Sequence, residues 1–309
     1  MGEIPRTEDR RSPIRRLGRT VEPIHTVAYY SPEIYGFNDD GFKGWWHAYF
    51  AYRSAPMGTV SAPAVTAVFY NFAPRMVERA MPTCWDIMAP DAVRARQLEL
   101  TTAAMLRALG DYPHPDDISG AAAALRSFAD QLPIGARPLY AAWASEPWPG
   151  GGTAGHASTA SGDGGGDVMD LWHGCTLLRE FRFDGHNIAL AAGDLDPVEC
   201  HVMMTTGGHG NGATIQKIRG WNAQEWEAAC QRLIDRGWIT PDGEQTPEGN
   251  AARRAVERDT DRLSSAAADA LTVDEFETLL TRLERITAYL VETGIVAGVW
   301  PPPHVTVAA

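Results

Sequence analysis

Residues 170–186 read DLWHGCTLLREFRFDGH and place His173, Arg179, Glu180, Arg182, Asp184 and His186 in one short, otherwise apolar stretch. An imidazole can take up and return a proton near neutral pH. Arg179 can grip a carboxylate or a developing oxyanion with two parallel hydrogen bonds. Asp184, two residues before His186, can orient an imidazole. His173, His186, Arg179 and Asp184 are therefore the candidates for acid–base catalysis. At helical spacing His173, Thr176, Glu180 and Asp184 form one row, and Trp172, Cys175 and Arg179 the next. Glu180 and Asp184 repel at that spacing unless a cation lies nearby. The same residues also suit a buried polar network that pins two parts of the chain together.

Further binding candidates lie elsewhere: His25 and Tyr29 in EPIHTVAYYSPE, Arg53 in YFAYRSAP, Phe69 and Asn71 in FYNFAP, and Trp172 and Thr176 in the first stretch. The aromatic residues of the N-terminal half suit a core or the walls of a site for a flat ligand. His25, Glu33, His173 and His186 are possible metal donors, but no HxxxH or HxH spacing groups them, and no metal or other cofactor is expected. The chain has no GxSxG elbow, no phosphate-binding loop and no GxGxxG opening a helix. Cys175 adjoins His173 in sequence instead of lying one turn away, which disfavours a Cys–His dyad.

A net charge of −12 over 309 residues argues against a nucleic-acid partner, because a duplex is met with Lys and Arg. The four cysteines contain no CxxC, and neither a secretory signal nor a long apolar run is present. The expectation is a cytoplasmic protein, monomer or homodimer, whose partner is a small molecule and not DNA or a membrane.

These residues need elements to hold them, and the pattern predicts a mainly α chain. Residues 1–14 read as a disordered N-terminus, 15–149 as one half, 150–167 as a glycine-rich linker, 168–298 as a second half and 299–309 as an extended tail. In the second half a short helix, a turn, an amphipathic helix over 222–236, a hairpin at Asp242-Gly243 and a long helix follow in the order of a winged helix-turn-helix. Asn222 with Glu225 predicts a capping box, Gly237 the residue after the helix end, and Thr246 the next cap. A weak internal repeat aligns 57–81 with 219–238, His47 with His201, and His25 with His173. It predicts two winged-helix-like halves in one chain, a covalent pseudo-dimer with small β-hairpin wings, whose ligand cleft lies between 21–33 and 170–186. The would-be recognition helix carries Glu225, Glu227 and Asp235 against Arg232 and Arg236, a poor charge balance for entering a groove.

LWHGCTLLREFRFDGH resembles the motif LWHxxTLLREHRGDGH of an actinobacterial helix-turn-helix or MarR-like family. EPIHTVAYYSPE, FYNFAPRMVERAMP and RGWNAQEWEAACQRLIDRGW resemble its other blocks, so the likeness covers about residues 15–295. It implies a fold far more than an activity. Phe181 and Phe183 stand where the motif often has His and Gly, which makes this region more apolar. The leading expectation is a cofactor-independent acid–base enzyme, of lyase, isomerase, hydratase or cyclase type, acting on a secondary metabolite. The alternatives are a ligand-responsive MarR-like regulator and a non-catalytic metabolite-binding or resistance protein.

Overall fold

A computed structural model describes residues 12–151 and 165–297. The expected frayed terminus, glycine linker and extended tail therefore fall mostly outside the described residues. Where the terminus is described, Pro13 already opens a helix. Among the described residues the chain is helical with no β-strand, and no helix is long and apolar enough to cross a membrane.

The chain forms two compact units. The first comprises the residues up to Gly36, Arg94–Asp184 and Asp261 onward. The second holds Phe37–Val93 and Gly185–Thr260.

In the first unit the helix Pro13–Tyr30 packs on Val273–Glu292, which also packs on Pro115–Arg126. Leu17, Val21, Ile24 and Ala28 recur at three- and four-residue steps and are buried, so Pro13–Tyr30 has one apolar face. Val273–Glu292 starts at a capping box: Thr272 Oγ1 accepts from the Glu275 N–H, and the Glu275 carboxylate accepts from the Thr272 N–H. Its stripe of Phe276, Leu279, Leu280, Leu283, Ile286 and Leu290 is buried. The helix Gly165–Ala192 differs in kind, because every residue from Val168 to Leu178 is buried. An element covered on all sides has no polar face for its charged residues, so each must find an internal partner. Asp170 does so, taking the Arg126 guanidinium and the Gly150 N–H.

In the second unit Glu199–Thr206 packs on Gly212–Arg219 and on Ala223–Asp235. The Asn222–Glu225 capping box is present, Gly237 has φ of 70°, and Thr246 Oγ1 accepts from the Gly249 N–H, as the sequence predicts. The expected β-hairpin wing is not formed as strands. Its remnant is one isolated antiparallel bridge between Ile239 and Gln245, around a turn in which the Gly243 N–H reaches the Thr240 carbonyl. The segment is too short for a ladder: Gly237 and Thr246 are committed to helix ends, and Pro241 has no N–H to donate. The helix Ala62–Phe69 ends at Tyr70, with φ of 56°, and Pro74 opens Pro74–Glu78 behind Ala73, its cap.

Gly174 lets two helices of the first unit approach closely. A Cβ there would lie 2.6 Å from the Leu125 Cβ. Helix propensity alone favours Ala over Gly by about 1 kcal/mol, but overpacking costs about 1–3 kcal/mol. Gly174→Ala is expected to lower the urea midpoint.

Candidate functional site

The two histidine-bearing segments of the first unit do meet. Trp172, Thr176 and Glu180, one turn apart, face His25 of Pro13–Tyr30. The Thr176 hydroxyl donates to the Trp172 carbonyl at 2.9 Å, so its oxygen accepts from His25 Nδ1–H at 3.0 Å. The Trp172 indole donates to the His25 carbonyl at 3.3 Å, and Tyr29 sits edge-on to His25 with centroids 4.6 Å apart. His25 Nε2 lies 3.9 Å from Glu180, whose other oxygen takes Arg179 Nη1 at 3.0 Å. Arg179 Nε reaches Glu22 at 3.1 Å, and its guanidinium lies 4.7 Å from the Phe183 ring centroid. This seam is a filled polar network. Arg179, expected to grip a ligand anion, is committed to two carboxylates.

Asp184 is also committed. It accepts the N–H groups of Leu139 and Tyr140 at 3.1 and 2.9 Å, closing the N-terminus of Pro138–Ala144. Burial pushes its carboxyl up to about 7. It therefore serves a helix end and not an imidazole. His186 belongs to the second unit, where its Nδ1 meets Thr260 Oγ1 at 2.9 Å. Thirteen residues of the helix Gly165–Ala192 separate it from His173. Arg53, Phe69 and Asn71 also lie in the second unit. Arg53 Nη1 donates to Tyr49 OH at 2.8 Å, and its guanidinium covers the Phe69 ring at 4.4 Å. The Asn71 carbonyl accepts from His201 Nε2 at 2.9 Å and the Trp221 indole at 3.3 Å.

His173 is different. It is fully buried, and neither ring nitrogen has a hydrogen-bond partner among the described residues. Burial, aided by nearby Arg94, pushes its pKa down to about 3, so the ring is neutral. Trp148, Trp143 and Trp172 surround it, with ring centroids at 5.0, 6.3 and 6.4 Å. Arg94 lies over Trp143 at 4.4 Å and bonds Glu146 and Gln97. Arg94, Gln97 and Thr101 belong to the buried side of Pro90–Leu109, together with Val93, Leu100, Ala104, Met105 and Ala108. These three are not among the candidates that residue type and spacing suggest. Their signal is polar side chains at steps of three and four, in register with an apolar stripe.

No group of three or more His, Cys, Asp or Glu among the described residues is arranged to hold a metal. A small cleft in the first unit is lined by Leu17, Gly18, Val21, Leu178, Phe181 and Arg182, among others, and touches neither His25 nor His173.

A family model described as a helix-turn-helix family matches residues 14–297. The chain belongs to this helix-turn-helix family. Neither a curated protein nor a solved structure matches it. The two short helices of the second unit, Gly212–Arg219 and Ala223–Asp235, are joined by a turn through Gly220, with φ of 76°. In this helix-turn-helix protein Arg232, Arg236 and Glu225 of the later helix and its end are paired with neighbouring elements. Arg232 Nε bonds Glu199 at 2.7 Å and its Nη2 bonds Asp196. Arg236 pairs with Glu199 at 2.5 Å, and Glu225 is held by Arg75 through two bonds of 2.8 and 2.6 Å.

Two expectations follow. Unfolded His173 binds protons below about 6.5 and folded His173 only near 3, so its contribution to stability is complete above pH 6.5. That contribution is lost on acidification, at about 1.4 kcal/mol per pH unit. Urea denaturation of His173→Phe is expected to show a flatter profile between pH 4 and 6.5. Asp184 has the opposite sign: its folded pKa is raised, so its contribution is present below about 4 and lost as pH rises through 7. Asp184→Asn keeps an acceptor for both N–H groups and is expected to be more stable at pH 7 than Asp184→Ala, which leaves them unbonded at a cost of about 1–3 kcal/mol.

Proposed function

We propose that the first unit is a small-molecule site and that His173 is its proton acceptor, in an acid–base enzyme that needs no cofactor. The observation that carries this reading is the fully buried imidazole with no bonded nitrogen, on a helix whose other buried acids have partners. Leaving a polar ring unbonded in an interior costs free energy, and such strain concentrates at working sites. A neutral imidazole is the form that accepts a proton, and a negative guest beside it raises its pKa toward the working range. His25, Thr176, Glu180 and Arg179 then act as the frame that fixes the helix, and Asp184 as the cap that places Trp143 beside His173.

The fused-dimer expectation belongs to this reading, in a changed register. Each half of the chain visits the units in the same order: first, second, first. Helices also recur in parallel, with Trp45–Ser54 answered by Glu199–Thr206, Ala62–Phe69 by Gly212–Arg219, and Pro90–Leu109 by Pro247–Ser264. This pairs Ala62–Phe69 with the first helix of the helix-turn-helix, not with 219–238. Loss of strands and paired charges support a winged helix kept as scaffold, against the MarR-like regulator.

The test is nuclear magnetic resonance of the full chain labelled with ¹⁵N-histidine, with His173 assigned through His173→Phe, during titration with small carbonyl and carboxylate compounds. Saturable movement of the His173 ring signals, absent in His173→Phe, is expected. If no compound moves them, or if the variant binds equally well, the reading falls. Binding to its own promoter with a steep salt dependence would instead favour the regulator.

A further inference from the structure

The hydrogen-bond balance around His173 points to the class of guest, and this inference rests on the reading of the first unit as a small-molecule site. Four polar atoms are buried without a hydrogen-bond partner among the described residues: Arg94 Nη2, Gln97 Nε2 and Thr101 Oγ1, which share one row of Pro90–Leu109, and Trp143 Nε1, on the ring that Arg94 covers beside His173. The residues that carry them are 5%, 0%, 1% and 0% exposed. Gln97 Oε1 already accepts from Arg94 Nη1 at 2.5 Å, which fixes the amide with its nitrogen outstanding. Three of the four atoms can therefore only donate, and the hydroxyl can donate as well. Buried donors are almost always bonded, and this set calls for a molecule that brings acceptors.

The charge narrows the class. The Arg94 guanidinium is the cation of this group, and Glu146 binds it through Nε at 3.2 Å, leaving Nη2 outstanding. Burial works against its charge and lowers its pKa, so an anion beside it restores what burial removes. A single guanidinium edge with an amide N–H beside it suits a monoanion with two oxygens, the shape of a carboxylate. The shape of the guest follows from the rings. Trp143, Trp148 and Trp172 surround His173 at 5.0–6.4 Å between centroids, and such walls accept a flat apolar body.

We propose that Arg94, Gln97, Thr101, Trp143 and His173 form a binding site for a small aromatic or unsaturated carboxylate. Arg94 Nη2 and Gln97 Nε2 donate to the carboxylate, Thr101 and the Trp143 indole complete its bonding, and the body lies among the tryptophans against His173. The site is separate from the His25–Thr176–Glu180 seam, in which Thr176 bonds His25 and Arg179 bonds Glu180.

The experiment uses the full chain and isothermal titration calorimetry, with benzoate, phenylacetate and cinnamate as carboxylate probes and benzyl alcohol and benzamide as neutral ones. At least one carboxylate is expected to bind saturably. Arg94→Gln is expected to weaken it tenfold or more, and the nearly isosteric Thr101→Val severalfold. Thr101→Val keeps the test decisive if Arg94→Gln does not fold, which circular dichroism reports. Carboxylate binding unchanged in a folded Arg94→Gln or in Thr101→Val overturns the assignment, as does equal binding of benzyl alcohol. If a neutral probe moves the His173 ring signals and no carboxylate binds, the carboxylate class is wrong while the small-molecule site survives. If no probe binds or moves them, both fall.

Discussion

The first unit depends on a single constraint: ionisable side chains carried by a helix with no outward face must be neutralised or bonded from within. From Val168 to Leu178 the helix Gly165–Ala192 is buried throughout, yet it carries Asp170, His173 and Thr176, with Glu180 and Asp184 following. Three bonded members each draw a different neighbour onto the helix, while Glu180 is held by Arg179 of the same helix. Asp170 draws Arg126 and Gly150, Thr176 draws His25, and Asp184 draws the start of Pro138–Ala144. Polar pairing thus fixes which elements surround the helix, where apolar packing alone would accept several arrangements. His173 is the member of the series that draws none, and the proposed chemistry begins there.

Much of the fold was legible because it follows from local rules. The capping box at Asn222, the positive φ at Gly237 and the turn at Gly243 are each set by a few adjacent residues. The meeting of 21–33 with 170–186 was legible too, from the composition of the two segments. The strands of the wing were not, because alternation and an Asp-Gly turn announce a hairpin but do not count the residues left after helix ends have taken theirs.

The site was only half legible. His173 stood out by type. Arg179, Asp184 and His186 stood out equally, and sequence carries no record of which side chains already have partners. That information is non-local: Glu22 lies far from Arg179 along the chain, and Leu139 far from Asp184. Arg94, Gln97 and Thr101 were overlooked for the opposite reason. On a helix taken as ordinary, three polar residues read as a solvated face until burial shows that they occupy the apolar stripe.

The order in which the chain visits its two units has a consequence for biosynthesis. The first unit takes its segments from the beginning, the middle and the end of the described chain, and its packing includes Pro13–Tyr30 against Val273–Glu292. On the ribosome, Pro13–Tyr30 emerges with an apolar face whose partner Val273–Glu292 is made much later, after both described segments of the second unit. The nascent chain must therefore keep Leu17, Val21 and Ile24 from straying contacts until that helix has been made, a demand that favours chaperone shielding over vectorial, domain-by-domain folding.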